Sequence, residues 1–547
     1  MKSENPFSIS YTQKNVKDQS KNKLQNDFKK FDIDKEINEH IIFKDYNTRK
    51  KRLNKFKEMI KNKVSFNNKI YMIGFGSVGR ILLNLIIKVI DVDPKKIYII
   101  DSRDISNEAK YFTKMGVKLM NKTSMKKDNY KKLLKDLDNN DIVIECAIAI
   151  QTLDLYKYCN LKGASFINSC IQHWNYQNIT ESDEYSMAYN HNKLDELDEK
   201  TKNKNTNFLI SMGCNPGCVS QWVKEGIKQI AKKKKEKTDF DILDNKKWAK
   251  LSQKLGIQVI HISERDTQIV DVPKRKNEYC NTWSSSGEAY YEEGLGCVEA
   301  SWGTHETDKF NKKDVVDLYQ QYLIWKKLGL YVFAKSWVPY YGEYMGNIVR
   351  HDESFSIGRA LTVKNDGGGK NDKVEYKPSV YYVYHPCDES VMSVYELKER
   401  NNKIQDNYRL LTEEIINGRD ILGLTYYLES GDVYWIGSLL SIHEARELFE
   451  PSFKEFVNAT NVPVAAGYLS GILYLIELNN KNIKKGLICP DDLPYDKILE
   501  WELPFLGEFV FTKGDFKLPN NENKFDSKKT KTNNWIFSNF LVEKNMF

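Results

Sequence analysis

The sequence predicts an α/β protein. A Rossmann-type, doubly wound parallel sheet is followed by a second, α+β domain built on a largely antiparallel sheet. Three observations predict it. Short apolar runs alternate with helical stretches from residue 66 to about 212, the spacing of parallel βαβ units. A glycine turn, Gly74-Phe75-Gly76-Ser77-Val78-Gly79, joins the first of those runs to the first helix. Beyond residue 213 the chain changes to aromatic-rich strands separated by polar, glycine-containing loops.

In chain order, residues 1–65 are rich in Lys and Asn and poor in aliphatics. They are expected to form a polar, mobile extension ending in a helix around residues 48–61. Strands are expected at 69–73, 97–100, 117–120, 142–145, 165–168 and 208–211. Helices are expected between them at 80–90, 105–116, 126–137 and 153–161. This NAD-binding Rossmann domain spans 66–212. A substrate and dimerisation domain spans 213–455, with strands at 258–262, 379–384 and 433–436. Residues 365–373 read as a loop insertion. Residues 456–514 are expected to return to the first domain through an apolar helix at 464–478, whose small residues allow close packing. Residues 515–547 are expected to be a polar C-terminal segment.

Composition narrows the class. The chain has 547 residues, is 41% hydrophobic and 12% aromatic, and is expected to bury a large core. Its 83 basic and 75 acidic residues leave a net charge of +8. No basic face points to nucleic acid, and Lys232 to Lys235 read as a solvated helix end. The run Ile81 to Ile90 is broken by Asn84 and Lys88, too short and too polar for a membrane span. Residues 1–40 hold no apolar signal segment. Nine scattered Cys suit free thiols in a reducing cytoplasm.

The glycine motif carries the first chemistry. Gly74 permits a tight turn, Gly76 lets backbone approach a pyrophosphate, and Gly79 lets helix and strand pack closely. Ser77 and Val78 open the helix, whose N-terminal amides favour phosphate. Asp101, at the end of the next strand, suits the two hydroxyls of an adenosine ribose and disfavours a 2′-phosphate. NAD is therefore expected over NADP, an inference that the nearby Arg103 blunts.

Four clusters of the second domain gather polar groups beside Gly, Pro and Trp. Gly213-Cys214-Asn215-Pro216-Gly217-Cys218 turns from a strand into a helix. Its two Cys lack partners at zinc spacing, so no metal is expected. Glu264-Arg265-Asp266-Thr267-Gln268 ends a strand and reads equally as a surface loop. Asn281-Thr282-Trp283, Glu292-Glu293 and Trp302-Gly303-Thr304-His305-Glu306 interleave acids with aromatics. That mixture suits an organic cation, or an acidic loop beside a Trp-anchored core. His351 and His385 could each shuttle protons, though a lone His is more often structural.

The strings GFGSVG, GCNPGCVS, ISERDTQ, NTWS, WGTHE, YHPCD and YWIGSLLS, in that order, resemble bacterial-type homospermidine synthase, of the saccharopine-reductase-like group. The resemblance runs from about residue 66 to about 510. It implies an NAD-dependent, redox-neutral enzyme that oxidises putrescine, condenses the imine with a second amine as ammonia leaves, and reduces the Schiff base to homospermidine. It further implies Trp283 as the cation–π residue, Glu264 and Glu293 (or Glu292) as ammonium-binding carboxylates, Asn215 beside nicotinamide and substrate, and His351 in the active-site His segment. A homodimer is expected from the antiparallel sheet. Two places depart from the family pattern: Gln172-His173-Trp174, where an acid is usual, and Ala147-Ile148-Ala149, where a polar, often acidic turn is usual. The alternatives are reductive condensation of an amine with a keto acid or aldehyde, served by Arg265 or Arg350, and a non-catalytic NAD sensor.

Overall fold

Among the described residues seven short strands line up in parallel; all but the edge strand Lys118–Met120 are largely buried on both faces, and each is followed by a covering helix or turn. The computed structural model describes residues 49–174, 186–240, 244–284, 293–310, 315–317, 321–365, 373–518 and 535–542. In sheet order the strands are Gly486–Ile488, Asn207–Leu209, Ser165–Asn168, Ile142–Glu145, Ile70–Ile73, Ile97–Ile100 and Lys118–Met120. Alternation divides the core. Ile70, Met72, Ile99, Ile144 and Ile167 face one side, and Tyr71, Ile73, Val143 and Phe166 face the other. The chain leaves Ile70–Ile73 toward Ile97–Ile100 and later returns to its other side at Ile142–Glu145. The switch point of the sheet therefore lies at the glycine turn, where α/β proteins bind ligands.

Two expected helices are shorter than their apolar spacing predicts. Residues 105–116 yield only Lys110–Lys114, and residues 126–137 only Tyr130–Leu133. Local side chains capture the first amides in both places. Asn121 Oδ1 accepts from Ile105 N, Asp104 from Ser106 N, and Asn129 from Lys126 N.

Among the described residues the second sheet has ten strands. Its path runs Val315–Asp317, Tyr322–Leu328, Cys297–Ser301, Ser379–His385, Ile257–Asp266, Arg419–Leu428, Val433–Ser441 and Phe509–Gly514. The hairpin Phe333–Val338 with Gly342–Val349 joins it through Ser379–His385. Every pairing is antiparallel except Ser379–His385 with Ile257–Asp266. One face, with Ile260, Ile262, Tyr382, Tyr384 and Leu424, packs on the helix Cys218–Lys233. The other, with Val259, Tyr381, Tyr427 and Trp435, packs on the segment 535–542.

The helix Asn461–Asn480 links the two sheets. It shares one apolar cluster with the glycine-loop helix Ser77–Val89. Among the described residues it is long and apolar enough to cross a bilayer, yet it is almost wholly buried inside the protein.

The described parts of both chain ends differ from the sequence expectation. Residues 1–48 and 519–534 lie outside the described residues, as does most of the 365–373 insertion. Residues 49–65 are docked rather than free. In the helix Arg49–Lys61, Phe56 meets Phe505 edge-on at 5.1 Å and buried Arg52 pairs with Glu444. Residues 535–542 are not polar in effect: Trp535, Phe537, Phe540 and Leu541 cover the second sheet.

Candidate active site

The strands of the parallel sheet end at one rim, and the residues that follow them line a cavity of about 220 Å³. Cys146 follows one strand, Ser169 another, and Gly213 to Pro216 a third. Asn215, Glu264, Trp283, Glu293 and His351 all line this cavity, together with Gly76, Ser77 and Val78. Glu292 lies outside the described residues.

The glycine turn is shaped for close approach. Gly74 has φ +89°, and a Cβ there would sit 2.8 Å from the Cys146 carbonyl. A Cβ on Gly79 would sit 2.9 Å from the Gly74 oxygen. Gly76 precedes the helix Ser77–Val89, and no side chain caps its first amides. These are the donors a pyrophosphate needs, so the residues present fit a dinucleotide.

The opposite wall of the cavity is built by the second sheet. The register sets Tyr384 beside Glu264, with Tyr382 on the same face. Tyr382 donates to Glu264 Oε2 at 2.7 Å, and Asn215 Nδ2 donates to the same oxygen at 3.0 Å. Asn215 stands on a turn closed by the Gly213 amide donating to the Pro216 carbonyl at 2.8 Å, with a cis Asn215–Pro216 bond. Burial pushes Glu264 up to about 7; Asp266 adds to the shift, and Tyr382, His351 and Asn215 oppose it. The segment from Glu264 is thus no surface loop. The strand continues to Asp266, and burial pushes that carboxyl up to about 6.

His351 Nε2 lies 3.5 Å from Glu293 and its Nδ1 3.2 Å from Glu353. Burial alone would lower its pKa, but Glu353 and Glu293 outweigh burial and hold it well above the ordinary imidazole value. Trp283 packs edge-on against Tyr384 at 5.6 Å. Asn281 Oδ1 fixes its turn by accepting from the Trp283 and Ser284 amides. Aromatic faces beside the buried Glu264 and the half-buried Glu293 are the combination that suits an organic cation.

Asp352, the first residue of the helix Asp352–Ala360, ties the two sheets together at the cavity. It accepts from Ser211 Oγ at 2.8 Å and pairs with buried His191 at 3.3 Å.

The two departures from the family pattern meet here. Gln172 Oε1 accepts from the Ala149 amide at 3.2 Å, and Ala149 has φ +62°. His173 Nε2 lies 3.0 Å from Asn190 Oδ1, and burial lowers its pKa. An amide, an imidazole whose charged form burial disfavours and a left-handed turn residue thus stand at the two places where the resemblance implies an acid and a polar, often acidic turn.

Other candidates fall elsewhere. Trp302, His305 and Glu306 anchor the 535–542 segment on the far face of the second sheet. Glu306 accepts from the Phe537 amide at 2.9 Å, and His305 Nε2 lies 3.2 Å from the Trp535 carbonyl. His385 Nδ1 lies 2.8 Å from the Met345 carbonyl, and Arg265 covers the Tyr341 ring at 4.7 Å. The Cys214 and Cys218 thiols are buried, and burial pushes both pKa values up. Sequence reasoning gave no role to Tyr382, nor to Asp352 and Glu353 although they stand beside His351 in the same cluster. Period-two alternation through Tyr384 and the acids beside His351 were the available signals.

Comparison with known proteins agrees with this architecture. Residues 70–209 match the saccharopine dehydrogenase NADP binding domain, and residues 213–510 the saccharopine dehydrogenase C-terminal domain. Homospermidine synthase of Mesorhizobium japonicum is 30% identical, with 86% of this chain and 96% of that protein aligned. The chain belongs to the homospermidine synthase family. The homospermidine synthase of Blastochloris viridis is 31% identical, covering 86% of this chain and 97% of its own length. The crystal structure of the Legionella pneumophila homospermidine synthase in complex with NAD superposes with a TM-score of 0.78 at 31% identity, covering 88% of this chain and 99% of that one.

Proposed function

We propose that this chain is a homospermidine synthase acting on putrescine with NAD. The observation that carries the reading is the convergence of Asn215, Glu264, Trp283, Glu293 and His351 on one cavity that also opens onto the glycine-loop helix. NAD, when bound there, supplies reversible hydride transfer at an amine carbon. Gly76, Ser77 and Val78 would hold its pyrophosphate through backbone amides. Trp283 and the carboxylates hold the diamine as a cation. Glu264, titrating near neutrality, takes the proton that an ammonium must lose before its carbon can be oxidised. His351, kept protonated by Glu353 and Glu293, donates a proton to the departing ammonia. Asn215 and Tyr382 fix the Glu264 oxygen that receives the proton.

The test incubates the protein with putrescine and catalytic NAD, without reductant, and analyses the amines by mass spectrometry. Homospermidine and ammonia in equal amounts are expected. Absence of homospermidine despite bound NAD would refute the reading. One observation favours reductive condensation with a keto acid instead: Arg350 lines the cavity and could meet a carboxylate, though buried Glu299 lies 3.8 Å from it. That reaction would consume NADH mole for mole.

A further inference from the structure

Three neighbouring strands of the parallel sheet are tied sideways at their ends. Asn168 Nδ2 donates to Glu145 Oε2 at 3.1 Å, and Asn168 Oδ1 accepts from the Ser211 amide at 3.0 Å. Ser211 carries the tie across to the helix Asp352–Ala360, which packs on the second sheet: its Oγ donates to Asp352 Oδ2 at 2.8 Å. The same carboxylate oxygen accepts from the Ile171 amide at 3.3 Å, and Oδ1 lies 3.3 Å from His191 Nε2. Both oxygens of one carboxylate are thus spent on three separate elements of the first domain. Burial alone would raise the Asp352 pKa, but His191, Ser211 and Ile171 outweigh it and hold the carboxyl below its ordinary value.

The groups on either side of this tie meet in the active-site cavity. His351 immediately precedes Asp352 and caps the same helix: its carbonyl accepts from the Ser354 amide at 3.1 Å and from Ser354 Oγ at 2.7 Å, and its ring lies 4.5 Å from that of Tyr382. On the other side, Cys146, Ser169 and the turn from Gly213 to Pro216 follow the tied strand ends and line the cavity. Ser211 itself has φ +53°. Glycine takes that left-handed backbone more easily, so serine there costs strain and supplies a hydroxyl that glycine lacks.

We propose that Asp352 is a positioning residue of the reaction: its carboxylate holds His351 at a fixed spacing from the Asn215 turn and from the strand ends that face the cofactor. It acts through those groups and not on the amine. Misplacing a reacting group by about 1 Å costs on the order of 10²-fold in rate. Glu264, Trp283 and Glu293 are carried on the same side of the tie as His351, so diamine binding changes little when the tie is cut. The assignment rests on the reading that His351 donates a proton in homospermidine synthesis.

The test is steady-state turnover of putrescine with NAD by the full chain, with calorimetric titration of NAD to report that each variant is folded. Asp352→Ala should lower kcat by about tenfold or more while KM for putrescine stays within about threefold. Asp352→Asn still accepts from Ser211 and Ile171 and should recover most of that loss. Ser211→Gly suits the left-handed backbone and removes only the hydroxyl, so it should lower kcat by about threefold or more with NAD binding kept, and it carries the test if Asp352→Ala does not fold. An unchanged kcat in Asp352→Ala and Ser211→Gly overturns the assignment and leaves the synthase reading standing. A KM raised by about tenfold or more in Asp352→Ala, with no recovery in Asp352→Asn, overturns it too, because Asp352 would then hold the amine directly. A wild type that makes no homospermidine overturns the synthase reading and this assignment with it.

Discussion

Glu264 owes its chemistry to its surroundings. An ordinary glutamate would be ionised, and a poor base, at neutral pH. Burial beside Asp266 raises this one to about 7, while Tyr382 and Asn215 keep one oxygen aimed. Only the ionised form can take a proton, so kcat/KM for putrescine should rise with pH through about 7. Glu264→Gln should lower turnover by about 10²-fold or more and remove that limb of the profile. A variant with the same acid limb would show that another group is the base. The neighbouring His351 runs the opposite way, because Glu353 and Glu293 outweigh its burial. In the proposed mechanism these two groups are divided into proton acceptor and proton donor by what surrounds them.

At the scale of elements, the helix Asn461–Asn480 sets the position of the Asn215 turn. A Cβ on Gly467 would sit 1.9 Å from the Gly213 carbonyl oxygen, and Tyr468 donates to the Glu145 carbonyl at 2.7 Å. Helix, turn and parallel strand are therefore locked without a side chain's width between them. Gly467→Ala should destabilise the protein by about 1–3 kcal/mol or more, because only backbone can yield. An unchanged thermal midpoint would refute the close packing. Elsewhere, element lengths depart from local pattern for local reasons. Asn121 and Asn129 claim amides that longer helices would need. The strand Ile257–Asp266 outruns its apolar stretch because neighbours on both sides pair with its polar end.

At the scale of the whole molecule, buried carboxyls dominate the pH dependence of stability. Burial is the main cause that pushes Glu145, Glu306 and Glu502 up to about 8 and Glu299 to about 7. Each keeps a proton in the folded state that the unfolded chain releases near 4.5. Their contribution is fully present below that value and is lost as pH rises through 7 to 8. Buried His305, lowered to about 4, acts in the other direction: its contribution is present above 6.5 and lost as pH falls. The thermal midpoint should therefore fall as pH rises from about 5 toward 9, four carboxyls outweighing one imidazole, with Glu306→Gln making the decline shallower. A midpoint rising steadily from pH 6 to 8 would contradict this balance.

The sequence by itself determined the parallel strands, the glycine turn, the helix after it and the apolar helix near residue 470. Each rests on periodicity and small-residue placement within a dozen neighbours, which is where such information is local. It also named the residues that meet in the cavity, through motif strings rather than through any visible proximity. Tertiary structure alone decided which aromatic and acidic clusters share a face. Trp283 and Glu293 reach the cavity, while Trp302, His305 and Glu306 go to the far side of the same sheet. It decided that Tyr382 reaches Glu264, that Gln172 holds the Ala149 amide, and that Asp101 accepts from the Phe75 amide of the glycine turn. Pairing register and burial bring together residues distant in the chain, and those two quantities set the pKa values and hydrogen bonds on which the chemistry depends.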